Sequence, residues 1–467
     1  MNWDKIEDNS LGYRLLGNYT KFWFTKFFRE RTAEGVENIP DEQVPIIFAP
    51  NHQNSMMDPL AVIFASKSLG SRQMIWLARS DVFRNPLAAK FLKFVKIMPV
   101  FRERDGKDTL DKNEEIFQKC ADALAKKTPV ATFPEAKHHD KRVLLPLKKG
   151  LPRIAFMAAE KCNWSLDLQI VPVGINYAHY QKINQTLHVV FGKPIRVNSF
   201  KEIYLADNTK ALNLLRNAID QAIRPLMIDI QNAEYYPTYE IVRRMYNSKM
   251  CEINNLNPKK NHDKLTADKK LIKSLDKLRY DHVNVINSLK ENSLKYDELL
   301  TKNNLRDWLF EKEQHPVSGM LLPAFILLIG FPFFLYGFLN NLITWYLPQR
   351  MVRKMPDKQF HLSVKLGVSA VLFPIVFLLQ TIIVLLAVDP NWIALVYFFS
   401  LMPMGFVALN YSTVFKKMIG KIRYNKLRSK NSTEFADMLN ARDQVFHTMD
   451  EVLILKKYKT PEESDSI

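Results

Sequence analysis

Two long apolar runs, Leu366–Val388 and Trp392–Tyr411, constrain this chain more than any other feature. Neither holds an acidic or basic residue, and only Asp389, Pro390 and Asn391 separate them. Each reaches the roughly 20 residues that a helix needs to cross a bilayer, so the pair reads as a transmembrane hairpin. Arg350, Arg353, Lys354 and Lys358 precede it, and Lys416, Lys417, Lys421, Arg423, Lys426 and Arg428 follow it. The turn carries no Lys or Arg, so the positive-inside tendency puts both flanks in the cytoplasm.

A third apolar stretch, Met320–Tyr346, contains Pro323, Gly330, Pro332, Gly337 and the pair Asn340–Asn341. One crossing here would set the N-terminal part of the chain opposite the basic flanks, and two crossings need about 40 residues. The expectation is a bent segment that enters and leaves on one face, broken at Gly330-Phe331-Pro332. Such a break is tolerated at depth only where protein covers the freed backbone groups, so it should pack against the hairpin.

The remainder reads as soluble. Leu11 to Arg31 mixes aromatics and leucines with five basic residues, which fits a helix at the headgroup level or one packed on the soluble domain. From about residue 32 to 246, β-rich runs alternate with helical ones. Pro45–Ala49, Pro129–Phe133 and Leu168–Ile175 are the strand candidates. Pro59–Lys67, Leu110–Lys127, Leu151–Lys161 and Asn208–Ile223 are the helix candidates. The pattern implies an α/β fold, a mixed sheet flanked by helices, with loops at strand ends available for chemistry. Between Asn255 and Gln314 the spacing of Leu271, Leu275, Leu278, Val285 and Leu289 approximates a heptad seam, interrupted by His282, and suggests a long amphipathic helix or a helical hairpin. The expected division is an interfacial N-terminal helix (1–32), a catalytic domain (33–246), a helical linker (247–315), a membrane region (316–412, hairpin 366–411) and a tail, basic then acidic (413–467).

The net charge of +18 favours phosphate-bearing partners but cannot choose among them. No nucleic-acid motif is present, and much of the excess flanks the apolar runs, so nucleic acid is not an expected partner. Cys120, Cys162 and Cys251 lie too far apart for a disulfide framework or a zinc site. The first ten residues are acidic and lack a signal peptide's apolar core, so a cytoplasmic catalytic portion is expected.

The sharpest chemical feature is Phe48-Ala49-Pro50-Asn51-His52-Gln53-Asn54-Ser55-Met56-Met57-Asp58-Pro59. A strand ends, a polar loop presents His52, and a helix starts near Asp58. Histidine can take a proton from a hydroxyl near neutral pH, and a carboxylate on its other nitrogen would fix its tautomer. Asp before Pro is equally a good helix cap, so these residues alone leave Asp58 open between orienter and cap. Downstream, Val100-Phe101-Arg102-Glu103-Arg104 offers two arginines that could fork onto phosphate. Thr132 to Lys141 then packs Glu135, Lys137, His138, His139, Asp140 and Lys141 into one loop. His138, His139 and Asp140 could be read as metal ligands, but no further ligand set is spaced to complete a site.

These pieces, with Val171-Pro172-Val173, resemble in their order the glycerolipid acyltransferase superfamily: Asn-His…Asp, Phe-x-Arg, Phe-Pro-Glu-Gly, then Val-Pro-Val/Ile. The resemblance covers roughly residues 33–200 and is nearest to the branch acting on glycerol 3-phosphate or dihydroxyacetone phosphate. That branch sets five residues between His and Asp, as between His52 and Asp58, and carries a Leu-x-Pro-Leu-Lys-x-Gly stretch like Leu144–Gly150. The resemblance implies His52 as general base, Asp58 as its partner, Arg102 on the acceptor phosphate and Glu135 ordering the acceptor site. Arg104, Lys137 and His139 join the expected substrate-binding set. Ala136 departs from the family's glycine, and Lys137-His138 from its usual Thr/Ser-Arg. Acyl-CoA or acyl carrier protein is implied as co-substrate, with no resident cofactor or metal, a glycerol-phosphate acceptor, and membrane lipid as surroundings. Lysophosphatidate is the alternative acceptor, and a non-catalytic membrane scaffold is the alternative from another class.

Overall fold

A computed structural model describes residues 3, 6, 8, 10–66, 73–101, 110–430 and 432–458, without the side chains of residues 110, 111 and 454–458. The chain divides into two compact units, Met1–Asp229 with Met351–Ala370 and Ile230–Arg350 with Val371–Ile467.

The first unit is the α/β body. Its helices are α1 (Leu11–Phe27), α2 (Met57–Ala65), α3 (Pro86–Phe94), α4 (Leu110–Ala125), α5 (Gly150–Lys161), α6 (Lys201–Ala206) and α7 (Asn208–Ile223). Its strands are β1 (Phe28–Glu34), β2 (Ile46–Pro50), β3 (Ile75–Arg79), β4 (Ile97–Val100), β5 (Val130–Ala131), β6 (Gln169–Tyr177), β7 (Gln185–Phe191) and β8 (Ile195–Arg196). They form one sheet in the order β1-β7-β6-β2-β5-β3-β4, with β8 on β6. Pairing is parallel except for β6 with β7 and with β8, so the sheet is mixed as expected. The buried run Ile46–Pro50 sits between β5 and β6, so a catalytic loop leaving β2 opens at the middle of the sheet. Ile47, Val130 and Ile170 pack there against Cys120 and Leu124 of α4, Ala155 of α5 and Leu215 of α7.

The basic-aromatic segment at the N-terminus divides where the chain meets the sheet. Its helix stops at Phe27, and Phe28–Glu34 instead pairs in parallel with β7. Phe24 and Phe28 turn inward, and Phe24 packs on Phe64 of α2 with ring centroids 5.2 Å apart. Leu11, Leu15, Tyr19 and Phe22 stay exposed on α1.

The second unit is helical. It opens with α8 (Tyr236–Ile253), and the polar linker then forms α9 (Asn261–Asp281) and α10 (Val283–Lys302), with the turn between them at His282. Apolar helices follow: α11 (Ser318–Arg353), α12 (His361–Ala387), whose residues up to Ala370 belong to the first unit, and α13 (Trp392–Ser429), then α14 (Thr433–Tyr458). Among the described residues, three helices, α11, α12 and α13, are long and apolar enough to cross a membrane. The expected break at Gly330-Phe331-Pro332 is not made: α11 runs unbroken through Pro323, Pro332 and Pro348. Each proline forfeits one ladder bond, whereas an irregular loop would strip several backbone groups of partners in an apolar setting. Polar side chains tie the apolar helices together. Tyr336 bonds Ser400 at 2.6 Å, Tyr397 donates to Asn340 at 2.6 Å, and Asn341 donates to the Leu401 carbonyl at 3.1 Å. Gly337 lets the Met404 carbonyl approach so closely that an added Cβ would stand 2.1 Å from it.

Candidate active site

The chain leaves β2 at Pro50 and turns at once. Asn51 is clamped to β6: its side chain accepts from the Ile175 N–H at 2.6 Å and donates to the Ile175 carbonyl at 3.2 Å. This fixes the point from which His52 projects. The loop then passes through Ser55 at φ 44°, a left-handed conformation that is costly for a residue with a Cβ. That turn accommodates the five residues between His52 and Asp58.

His52 Nδ1 lies 2.8 Å from Asp58 Oδ2. A carboxylate only accepts, so Nδ1 carries the proton and Nε2 is the basic nitrogen. The same Oδ2 accepts the backbone N–H of Gln53 at 2.8 Å and of Asn54 at 2.7 Å. Oδ1 accepts the Tyr177 hydroxyl at 2.8 Å. Asp58 is fully buried. The helix cap is Met56, with no side-chain bond, so Asp58 is no cap; it orients His52 and closes the loop upon itself. Burial, then the Asp58 charge, push the Tyr177 hydroxyl well above its usual range, so it stays a donor.

Phe133, just beyond β5, stacks on the His52 ring at 3.7 Å and 12°. His138 meets the same ring edge-to-face at 5.0 Å. Burial first, then the nearby His52 and Arg79 charges, pull the His138 imidazole down to about 4 against the pull of Asp58 and Asp357. It is therefore neutral at physiological pH. Arg79, at the end of β3, adds positive potential while held by Asp81.

Glu135 is buried at 1% exposure, and both its oxygens are engaged. Oε1 accepts the His52 N–H at 2.6 Å and Oε2 the Leu145 N–H at 2.8 Å. The two bonds tie the His52 backbone to the loop before α5. His139 folds back on its own loop, Nε2 lying 3.5 Å from Glu135 Oε2 while Nδ1 accepts the Lys141 N–H. Lys137 is exposed. Ala136 takes φ 55°, the left-handed conformation that the family's glycine adopts without strain. Arg102 and Arg104 lie outside the described residues.

Three participants escape the sequence reading. Tyr177 stands two residues beyond the Val-Pro-Val-Gly-Ile stretch, and only the pairing of β2 with β6 brings it to Asp58. Arg142 is buried and donates to the Tyr177 carbonyl at 2.8 Å and the Ala178 carbonyl at 3.1 Å, pinning the end of β6. His138, rather than His139, faces His52. Among the described residues, no group of three or more His, Cys, Asp or Glu is placed to hold a metal ion.

An imidazole whose Nδ1–H is held by a buried carboxylate can accept a proton at Nε2 from an alcohol. Residues 30–176 match the family model "Acyltransferase", so the chain carries an acyltransferase domain of the PlsC-like kind. Glycerol-3-phosphate O-acyltransferase 1 of Saccharomyces cerevisiae is 28% identical over 136 residues, 28% of this chain and 18% of the yeast protein. Glycerol-3-phosphate O-acyltransferase 2 of the same yeast is 30% identical over 138 residues, 29% of this chain and 18% of that protein. The chloroplastic 1-acyl-sn-glycerol-3-phosphate acyltransferase LPAT1 of Arabidopsis thaliana is 27% identical over 146 residues, 31% of this chain and 36% of that protein. The chain thus spans under a fifth of the length of either yeast relative in the matched region. The crystal structure of the 1-acyl-sn-glycerophosphate acyltransferase PlsC from Thermotoga maritima matches 45% of this chain and 78% of its own, at 18% identity and a TM-score of 0.31.

Proposed function

We propose that this protein transfers a fatty acyl group from a thioester donor, acyl-CoA or acyl carrier protein, to a hydroxyl of glycerol 3-phosphate. The observation that carries the reading is the 2.8 Å contact between His52 Nδ1 and buried Asp58, which leaves Nε2 as the base. The acceptor hydroxyl attacks the thioester carbonyl as its proton passes to Nε2. The C–S bond then breaks, and the imidazolium returns that proton to the departing thiolate. Asp58 stabilises the imidazolium between the two steps. The products are an ester and a free thiol, with no covalent enzyme intermediate.

Arg102 is proposed to grip the acceptor phosphate, with Arg104 and Lys137 supplying further positive charge. The choice of glycerol 3-phosphate rests on the His-x5-Asp spacing, the Leu144–Gly150 stretch and the names of the two yeast relatives. The plant relative's name supports a second reading, with lysophosphatidate as acceptor. The catalytic unit is proposed to face the cytoplasm, where the thioester donor resides. Membranes containing the protein, assayed in parallel with glycerol 3-phosphate, dihydroxyacetone phosphate and lysophosphatidate, test the reading. Activity restricted to lysophosphatidate overturns the preferred acceptor, and no transfer to any of the three overturns the function.

A further inference from the structure

The segment Met351–Ala370 lies far beyond the end of the Acyltransferase match at residue 176, yet it is part of the catalytic unit. Leu362, Lys365, Leu366 and Ser369 are buried in that unit. Lys365 Nζ donates to the Gln181 carbonyl at 3.0 Å, and the Tyr19 hydroxyl donates to the carbonyl of Ala370. The contacts that matter most fall on the catalytic loops. Ser363 Oγ donates to the Asn54 carbonyl, within the loop between His52 and Asp58, at 3.4 Å. Gln359 Nε2 donates to the His138 carbonyl at 3.3 Å. The Phe360 ring meets the His138 ring edge-to-face at 4.9 Å and 89°.

The rings therefore form a continuous chain of contacts. Trp76 packs on Phe133 at 5.3 Å, Phe133 on His52 at 3.7 Å, His52 on His138 at 5.0 Å, and His138 on Phe360 at 4.9 Å. Asp58 fixes one edge of the His52 ring but leaves it free to swing about that bond. Phe133 blocks the swing toward one side. His138 adds a second ring contact, and its loop is held in turn by Gln359 and Phe360. A base displaced by about 1 Å can lose about 100-fold in rate, so this restraint has a kinetic value.

We propose that Phe360 and His138 are positioning residues for the general base, so that the turn before α12 completes an active site which the Acyltransferase segment alone leaves open. This rests on the functional reading given above. His138 acts here as a neutral ring. Its charged neighbours are His52 and Asp58 from the catalytic loop and α2, Arg79 from β3 and Asp357 from the turn itself, and burial keeps it uncharged down to about pH 4.

The test uses the full-length protein in membranes, with acyl-CoA and whichever acceptor supports wild-type turnover. Phe360→Ala should lower kcat about 10- to 100-fold while both KM values stay within about twofold, and Phe360→Leu should restore most of the loss. A second pair of variants reads charge independently of packing. His138→Phe should keep the acid limb of the kcat/KM profile at its wild-type pH. His138→Lys places a cation beside His52 and should move that limb to lower pH, because the cation disfavours the imidazolium. The proposal is overturned if Phe360→Ala turns over within twofold of wild type, if its loss falls on KM alone, or if the His138→Lys and His138→Phe limbs coincide. Should Phe360→Ala fail to accumulate, the His138 pair decides by itself. Inactive wild-type protein condemns the functional reading; active wild-type protein with these variants unchanged condemns only the positioning role.

Discussion

Asp58→Asn isolates the electrostatic role of the carboxylate from its structural one. Asn is nearly isosteric with Asp, and the surrounding donors can be satisfied. Its amide oxygen can take the place of Oδ2 and accept from His52 Nδ1 and from the Gln53 and Asn54 N–H groups. Its NH2 then replaces Oδ1 opposite the Tyr177 hydroxyl, which can rotate to accept. The tautomer of His52 and the loop should survive, and stability should change by no more than about 1 kcal/mol. What disappears is the negative charge beside the imidazolium. With charge centres about 4 Å apart and an effective dielectric near 20, that attraction is worth about 4 kcal/mol. Lost from the transition state, it amounts to about a thousandfold in kcat. Asp58→Ala is the contrasting variant: it strips three buried donors of their acceptor, at about 1–3 kcal/mol each, and should lower the melting temperature as well. Initial rates across pH, together with thermal unfolding of the same preparations, provide the measurement. Asp58→Asn protein that retains stability and turns over within about tenfold of wild type refutes the reasoning.

Other outcomes follow from single residues. His52→Ala should cost at least about 100-fold in turnover with membrane insertion unchanged, and near-normal rates would remove His52 as the base. Arg102→Ala should raise the KM for the phosphorylated acceptor and leave that for the donor, whereas a change confined to the donor would reassign the arginine. Ala136→Gly relieves a left-handed φ of 55° and should stabilise the protein by up to about 1 kcal/mol; a lower melting temperature would contradict the strain. Cys120 and Cys251 are buried and Cys162 is half-exposed, so a membrane-impermeant maleimide should modify Cys162 only where the cytoplasmic face is accessible. Modification from the opposite face alone would reverse the proposed orientation.

Much of this protein is legible along the chain because its determinants are local. His52 and Asp58 are six residues apart, close enough for one loop to join them, and the apolar runs declare their length without reference to any neighbour. The helix at Asn208–Ile223 and the buried strand around Ile46–Pro50 follow from short-range patterns in the same way. Whether Asp58 is a cap or an orienter could not be read from the Asp-Pro step, because both roles ask for the same residue there. The fold decides it by turning the carboxylate back toward the loop and setting Tyr177 against its second oxygen. The same holds for Glu135, which receives two backbone N–H groups only because the fold brings the loop after β2 and the loop before α5 together on it. The charge-based topology argument for a break misleads in α11, where the cost of abandoning backbone bonds in an apolar setting keeps the helix continuous through its prolines. Phe360 is the furthest from sequence logic: no local pattern links it to His52, and only the return of Met351–Ala370 to the catalytic unit sets its ring on His138. Spacing along the chain can specify a loop or a helix, but contacts between distant segments depend on which surfaces must be buried together, and that is settled only when the whole unit folds.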